Sequence, residues 1–390
     1  MDYSVAIIGG GPSGLMCAIT AAKRGKRVVI IDHRNDVGSK ILASGGGRCN
    51  FSNLNMGPGY FISENPHFVK SAISRLTPSD FMEMLKAHRI PYVEEGEGKL
   101  FCRRTSADIL EMLKAEALSA NVTFLCRRKV LSVDRKEKFT VTTDKGKIEC
   151  ASLVIATGGL SYPSLGASSL GYKIATHFGI DLIGTSPALV PILFDKEDKD
   201  NFSSLSGISF AGKVSCGKKS FTDDILITHR GLSGPAILQI SSYWHEGKSI
   251  TIDLLPGISI ADQLIKKRSE SGKKLIKNFL GEYLPKGLAQ KWCEINGLDE
   301  KVATLTNERI DEISSKLHQW QLTPCGTEGY EKAEATLGGV DTSEISSKTM
   351  ESKKVAGLYF VGELLDVTGH LGGYNIHWAF ASGLAAGEYS

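Results

Sequence analysis

The sequence predicts an α/β protein. A mostly parallel sheet, covered on both faces, is assembled from two separated stretches of chain, and a small β domain with a nested helical insert lies between them. Three observations carry this. The N-terminal stretch alternates apolar strands with a helix. The middle changes to short strand-like pieces and then to charge-rich helix. The C-terminal stretch returns to the texture of the first.

In chain order, residues 4–8 read as a buried strand and 14–24 as a helix closed by Gly25. Residues 27–31 are a second buried strand, ending at Asp32. Strands that are apolar along their length belong to parallel sheets with both faces covered. A Gly-rich loop follows at 44–53. Residues 77–88 and 106–120 read as helices, with Ser106 and Asp108 suited to a helix start. Strands are expected at 122–125 and 129–133. A hairpin is expected at 139–150 about Asp144-Lys145-Gly146, and a further buried strand at 153–156. Short strands follow at 190–194, 209–215, 225–228 and 249–254, then helical, charge-rich chain at 259–319. Residues 358–361 are the last buried strand, and a terminal helix begins near Asn375. The expected domains are 1–188 with 338–390, a β-barrel-like insert at 189–258 and 321–337, and a helical insert at 259–320.

Bulk properties exclude several classes. The 390 residues suit two or three domains, and 42% hydrophobic with 23% charged residues is an ordinary globular balance. A net charge of +3 is too mild to argue for nucleic acid or an anionic membrane. The eight Cys residues form no C-x-x-C, so neither a zinc site nor a redox dithiol is expected. Scattered thiols, no leader-like N-terminus and no long apolar run give the expectation of a cytoplasmic protein.

Four motifs carry chemistry. Gly9-Gly10-Gly11-Pro12-Ser13-Gly14 follows a strand and opens a helix, with Asp32 at the end of the next strand. Gly9 allows the tight turn, Gly11 lets backbone approach a pyrophosphate, and Gly14 lets the helix pack on the sheet. Helix N–H groups and partial positive charge favour the phosphates. Asp32 suits ribose hydroxyls and disfavours a 2′-phosphate; His33 adjoins it. The second motif runs from Lys40 through Ser44, Gly45, Gly46, Gly47, Arg48, Cys49 and Asn50. Its glycines can turn amides toward a ligand, and Arg48 can pair with phosphate or a flavin carbonyl. The third is Ala156-Thr157-Gly158-Gly159 after a buried strand. The fourth is Gly362-Glu363 after a strand, then Gly373-Tyr374-Asn375-Ile376 opening a helix. That acid suits a ribityl chain, and that helix N-terminus suits the flavin pyrimidine, where negative charge collects on reduction. Val130 joins the cofactor-contact set. In this order the motifs fit along one FAD, so the fold class sharpens to a glutathione-reductase-type FAD-binding Rossmann-like domain in two segments.

At these motifs the chain resembles the YhiN/BaiN-type flavoprotein family, the aminoacetone oxidase family FAD-binding enzymes. The resemblance rests on 40–50, on Thr228-His229-Arg230-Gly231-Leu232-Ser233-Gly234-Pro235 and on 338–375. It implies a bacterial NAD(P)/FAD-dependent oxidoreductase with an interrupted FAD domain, and leaves the substrate unassigned.

A second G-x-G-x-x-G is not found, so a nicotinamide donor is expected to visit without a Rossmann domain of its own. Candidate proton donors are His370, Tyr374 and His377, with His229-Arg230 as a further polar turn. The leading expectation is an FAD-dependent oxidoreductase passing electrons from NAD(P)H to a small organic substrate. The alternatives are an oxidase of an amine-type donor, a flavin-dependent RNA-modifying or nucleic-acid-binding protein, and a non-catalytic flavin sensor. No metal and no membrane partner are expected, and the oligomeric state is not written in the sequence.

Overall fold

A computed structural model describes residues 2–270 and 274–390; residues 271–273 of the expected helical insert lie outside the described residues. The chain divides into two compact units, residues 1–186 with 335–390, and residues 187–334.

The first unit is built on a sheet whose centre is Asp2–Ile8. It pairs in parallel with Val28–Ile31 on one side and with Gly146–Ile155 on the other. Thr123–Leu125 extends the sheet beyond Val28–Ile31, also in parallel. Val5, Ala6, Ile7, Val29 and Ile30 are wholly buried, which is what a sheet with both faces covered requires. Each such Val or Ile contributes about 1.5–3 kcal/mol of transfer free energy.

Gly146–Ile155 is one ten-residue strand where the sequence suggests two. Its first half alternates exposed and buried residues and pairs antiparallel with Phe139–Thr143. Its last three residues, Leu153, Val154 and Ile155, are all buried and pair in parallel with Leu358–Phe360. The period changes because the strand leaves a half-solvated meander and enters the covered sheet. The C-terminal segment thus enters the same sheet as the N-terminal one, a Rossmann-type arrangement.

The chain re-enters this unit at Ala335, ahead of the expected return at Gly338. Thr336 explains the earlier boundary. Its hydroxyl accepts from Leu160 N at 2.9 Å, and its carbonyl accepts from the Thr368 hydroxyl at 2.7 Å.

The second unit carries a seven-stranded antiparallel sheet running from Trp320–Leu322 through Ile250–Asp253, Ser209–Cys216, Lys219–Ile227, Gly231–Ser233 and Ile192–Leu193 to Gly326–Thr327. Helices at Ile260–Ser269, Lys286–Ile295 and Asn307–His318 share its core through Ile260, Leu288, Ile310 and Trp320. Among the described residues, no helix is long and apolar enough to cross a membrane.

Candidate functional site

The first unit holds a cleft of about 740 Å³ at the C-terminal ends of the parallel strands. Ligands of open α/β sheets bind there, where successive connections diverge. All of its lining residues belong to the first unit.

One end is built by the glycine turn. Gly9, Gly11, Pro12 and Ser13 line the cleft, and Gly14 lies behind them. A Cβ on Gly14 would stand 2.0 Å from Gly9 O, whereas one on Gly11 would meet nothing within 4 Å. Gly14 therefore sets the helix against the turn, and Gly11 faces open space. The helix Pro12–Lys23 has no side-chain cap and no acid in its first turn, so its leading N–H groups are left to a ligand. Asp32 and His33 line the cleft beside the turn. The Asp32 carboxylate accepts from Gly10 N at 2.7 Å and Arg34 N at 2.8 Å, which fixes its direction and leaves lone pairs for hydroxyl donors. Val130 closes this end, together with Arg128 and Lys129.

The middle is built by Lys40, Ser161 and Glu363. The Lys40 ammonium pairs with Glu363 and donates to the Ser161 hydroxyl at 2.7 Å. That hydroxyl donates to the other Glu363 oxygen at 2.7 Å. The three residues come from distant stretches of chain and all face the cleft. Gly362 lies behind Glu363 and is clamped to the last helix: its N–H donates to Ser382 Oγ at 3.0 Å, and its carbonyl accepts from Trp378 Nε1 at 3.1 Å. Ala156, Thr157 and Gly158 also line the cleft. The Thr157 hydroxyl is buried there without a protein hydrogen-bond partner.

The far end is built by the last helix, Tyr374–Gly387, whose N-cap is Gly373. It too lacks a side-chain cap and an acid in its first turn, and Asn375 and Ile376 line the cleft. Two uncapped helix N-termini therefore serve one cleft.

The Gly-rich loop is placed elsewhere. Beyond Lys40, none of Ser44, Gly45, Gly46, Arg48, Cys49 and Asn50 is in the cleft lining. The Arg48 guanidinium is taken by the Glu95 carboxylate at 2.7 and 3.2 Å and lies 4.9 Å from the centre of the Phe101 ring. The Cys49 thiol is fully buried, and burial pushes its pKa up to about 12, so it is not a thiolate at neutral pH. The Asn50 amide, oriented to satisfy its neighbours, accepts from Gly373 N at 3.2 Å. The loop thus props the last helix from behind.

The candidate proton donors also lie off the lining. His377 is a satisfied core residue. One ring nitrogen faces the Leu76 carbonyl at 2.7 Å and must carry the proton; the other accepts from the Ser52 hydroxyl at 2.9 Å. Burial drives its pKa down to about 4, so the ring is neutral. Tyr374 is buried under Tyr60, and desolvation raises its pKa well above the ordinary phenol value. Ser161 is the residue that sequence reasoning missed. Its signal was a hydroxyl two residues beyond Ala156-Thr157-Gly158-Gly159.

The cleft suits an elongated dinucleotide: open space over Gly11, two free helix N-termini and a fixed acid for ribose. Sheet and site together define an FAD-binding Rossmann-type oxidoreductase. The HI0933-like protein Rossmann domain matches residues 3–389, and the chain belongs to this family of YhiN/BaiN-type flavoproteins. It is 46% identical over 388 residues to the ribosomal RNA dihydrouridine synthase of Haemophilus influenzae, covering 97% of this chain and 96% of that protein. It is 30% identical over 405 residues to the 3-dehydro-bile acid delta(4,6)-reductase of Clostridium scindens, covering 98% of this chain and 98% of that protein. In fold it is similar to the 3-ketosteroid-delta4-(5alpha)-dehydrogenase of Rhodococcus jostii, with a TM-score of 0.51 at 15% identity over 99% of this chain and 96% of that one.

Proposed function

We propose that this protein reduces the C5=C6 double bond of a uridine in ribosomal RNA, using FAD and electrons from NAD(P)H. The observation that carries this reading is the 46% identity, over nearly the whole of both chains, to a ribosomal RNA dihydrouridine synthase. Identity to the bile acid reductase is lower, at 30%. Both names describe adding hydrogen across carbon–carbon double bonds, and one cleft chemistry serves both. The small organic substrate expected from the sequence thus gives way to an RNA base. Net charge does not oppose this, because local contacts rather than the total decide such binding. A ribosomal RNA substrate supports the cytoplasmic location expected from the sequence.

The uracil C5=C6 bond is conjugated to the C4 carbonyl, so it takes a hydride at C6 and a proton, drawn from solvent water, at C5. FAD, when bound and reduced, supplies the hydride. The chain's own residues bind and orient. The turn Gly9 to Ser13 and the first helix hold the pyrophosphate. Asp32 takes ribose hydroxyls. Lys40, steered by Glu363 and Ser161, and the N-terminus of the last helix at Asn375 and Ile376 set positive charge where reduction adds negative charge. The lack of a C-x-x-C argues against a dithiol electron partner and supports a transient NAD(P)H donor.

The test is an anaerobic two-step titration of the purified flavoprotein. NADH or NADPH should bleach the flavin, and an unmodified ribosomal RNA fragment should restore its colour while gaining dihydrouridine. Reoxidation by a bile-acid enone and not by RNA would overturn the substrate; no bleaching with either nucleotide would overturn the donor.

A further inference from the structure

We propose that Tyr60 is a stacking platform for a nucleobase of the substrate RNA, held ready beside the flavin-end wall of the cleft. The proposal rests on the RNA reading above and adds to it the residue that receives a base.

The platform is built by a two-stranded ribbon. Phe61–Ile62 pairs antiparallel with Thr368–Gly369, in the register Gly369 to Phe61. One step further along, His370 stands opposite Tyr60, and its N–H donates to the Tyr60 carbonyl at 2.9 Å. The two rings meet edge to face, 5.9 Å apart at 89°. The Tyr60 ring also stacks on Tyr374, with centroids 4.7 Å apart and planes 13° from parallel. Tyr374 is buried and in turn braced edge-on by Phe61 at 6.0 Å. Tyr60 nonetheless stays 39% exposed.

Its place in the fold ties it to the cleft. Tyr374 opens the last helix, and the next two residues, Asn375 and Ile376, line the cleft. The Asn375 side chain bonds both the N–H and the carbonyl of Gly369 at 2.8 Å, which locks the ribbon to that wall.

An exposed aromatic ring fixed by its own stack and ribbon loses little freedom when a ligand lands on it. Proteins that read RNA splay bases out and stack them on such rings. An enzyme that reduces a base must also draw it from its stack, and the strand then needs a replacement stacking partner. Tyr60 meets that need as a positioning residue, acting on binding rather than on the hydride step.

The test uses the full-length holoprotein with Tyr60, Tyr60→Phe and Tyr60→Leu. Flavin content is measured by absorbance, affinity by fluorescence anisotropy of a fluorescein-labelled ribosomal RNA fragment, and turnover by dihydrouridine formed. All three proteins should carry full FAD. Tyr60→Phe should bind RNA within a few-fold of the original. Tyr60→Leu, apolar but not aromatic, should bind it about tenfold or more weakly, with KM raised far more than kcat is lowered. Unchanged affinity in Tyr60→Leu, equal loss in Tyr60→Phe, or loss of FAD from either variant would overturn the platform. If the unsubstituted protein itself neither binds nor reduces the RNA, the RNA reading falls, and the platform with it.

Discussion

Gly383 of the last helix packs so closely on Ser13 of the first that a Cβ placed on it would stand 2.2 Å from the Ser13 carbonyl oxygen. Ser13 lines the phosphate end of the cleft, and the helix bearing Gly383 begins at its far end. With Gly387, where a Cβ would stand 2.7 Å from the Cys17 carbonyl oxygen, this contact sets how closely the two helices approach. Gly383→Ala must push the helices apart. Overpacking of this kind costs about 1–3 kcal/mol. The variant should show a lower denaturation midpoint and less bound flavin per chain. An unchanged midpoint with full flavin would contradict the close approach.

Two glycines of the same turn should respond in opposite ways. Gly11 faces open space, so Gly11→Val should fold normally and purify colourless. Gly14 sits against Gly9 O, so Gly14→Val should fail to fold or melt far lower. Circular dichroism with flavin absorbance separates the two. A yellow Gly11→Val protein with full occupancy would defeat this placement of the pyrophosphate.

Lys40 pairs with Glu363 and Ser161 and faces the cleft. Lys40→Met removes a positive charge that favours the reduced cofactor. The midpoint potential should become more negative by roughly 30–60 mV, which for two electrons corresponds to about 1.4–3 kcal/mol. Spectroelectrochemistry of the holoprotein reads this directly. An unshifted potential would mean the ammonium does not act on the flavin.

The cleft's two ends were legible in the sequence because local rules write them. A strand, three glycines, a helix and an acid occupy one short stretch, and each has its own steric or electrostatic reason. The middle was less legible. Lys40 and Glu363 stand out singly, yet their direct pairing spans 323 positions and is shared with Ser161, which no spacing rule marks. Arg48 read as an anion ligand because Glu95, its partner 47 positions on, lies on a strand that only the folded sheet brings near. His377 read as a possible donor because a helical pattern does not say which histidine has both nitrogens satisfied in the core.

His377 gives a pH prediction. Its folded pKa is near 4, against about 6.5 for a free histidine. Between these values the unfolded chain binds more protons, so stability rises with pH across that window. From pH 7 to pH 5 this residue should cost about 2 kcal/mol, with little further loss below pH 4. His377→Gln should be less stable at neutral pH but should lack that part of the acid dependence. Denaturant melts of both proteins across the window provide the check; parallel curves would show that His377 is not held neutral.

The central claim is reduction of a uridine in ribosomal RNA. The most direct measurement is dihydrouridine in ribosomal RNA, by nucleoside mass spectrometry, from cells with and without this gene. The deletion should lack one dihydrouridine that the intact chain restores and the flavin-free Gly11→Val chain does not. Ribosomal RNA with identical dihydrouridine content in all of these strains would contradict the account.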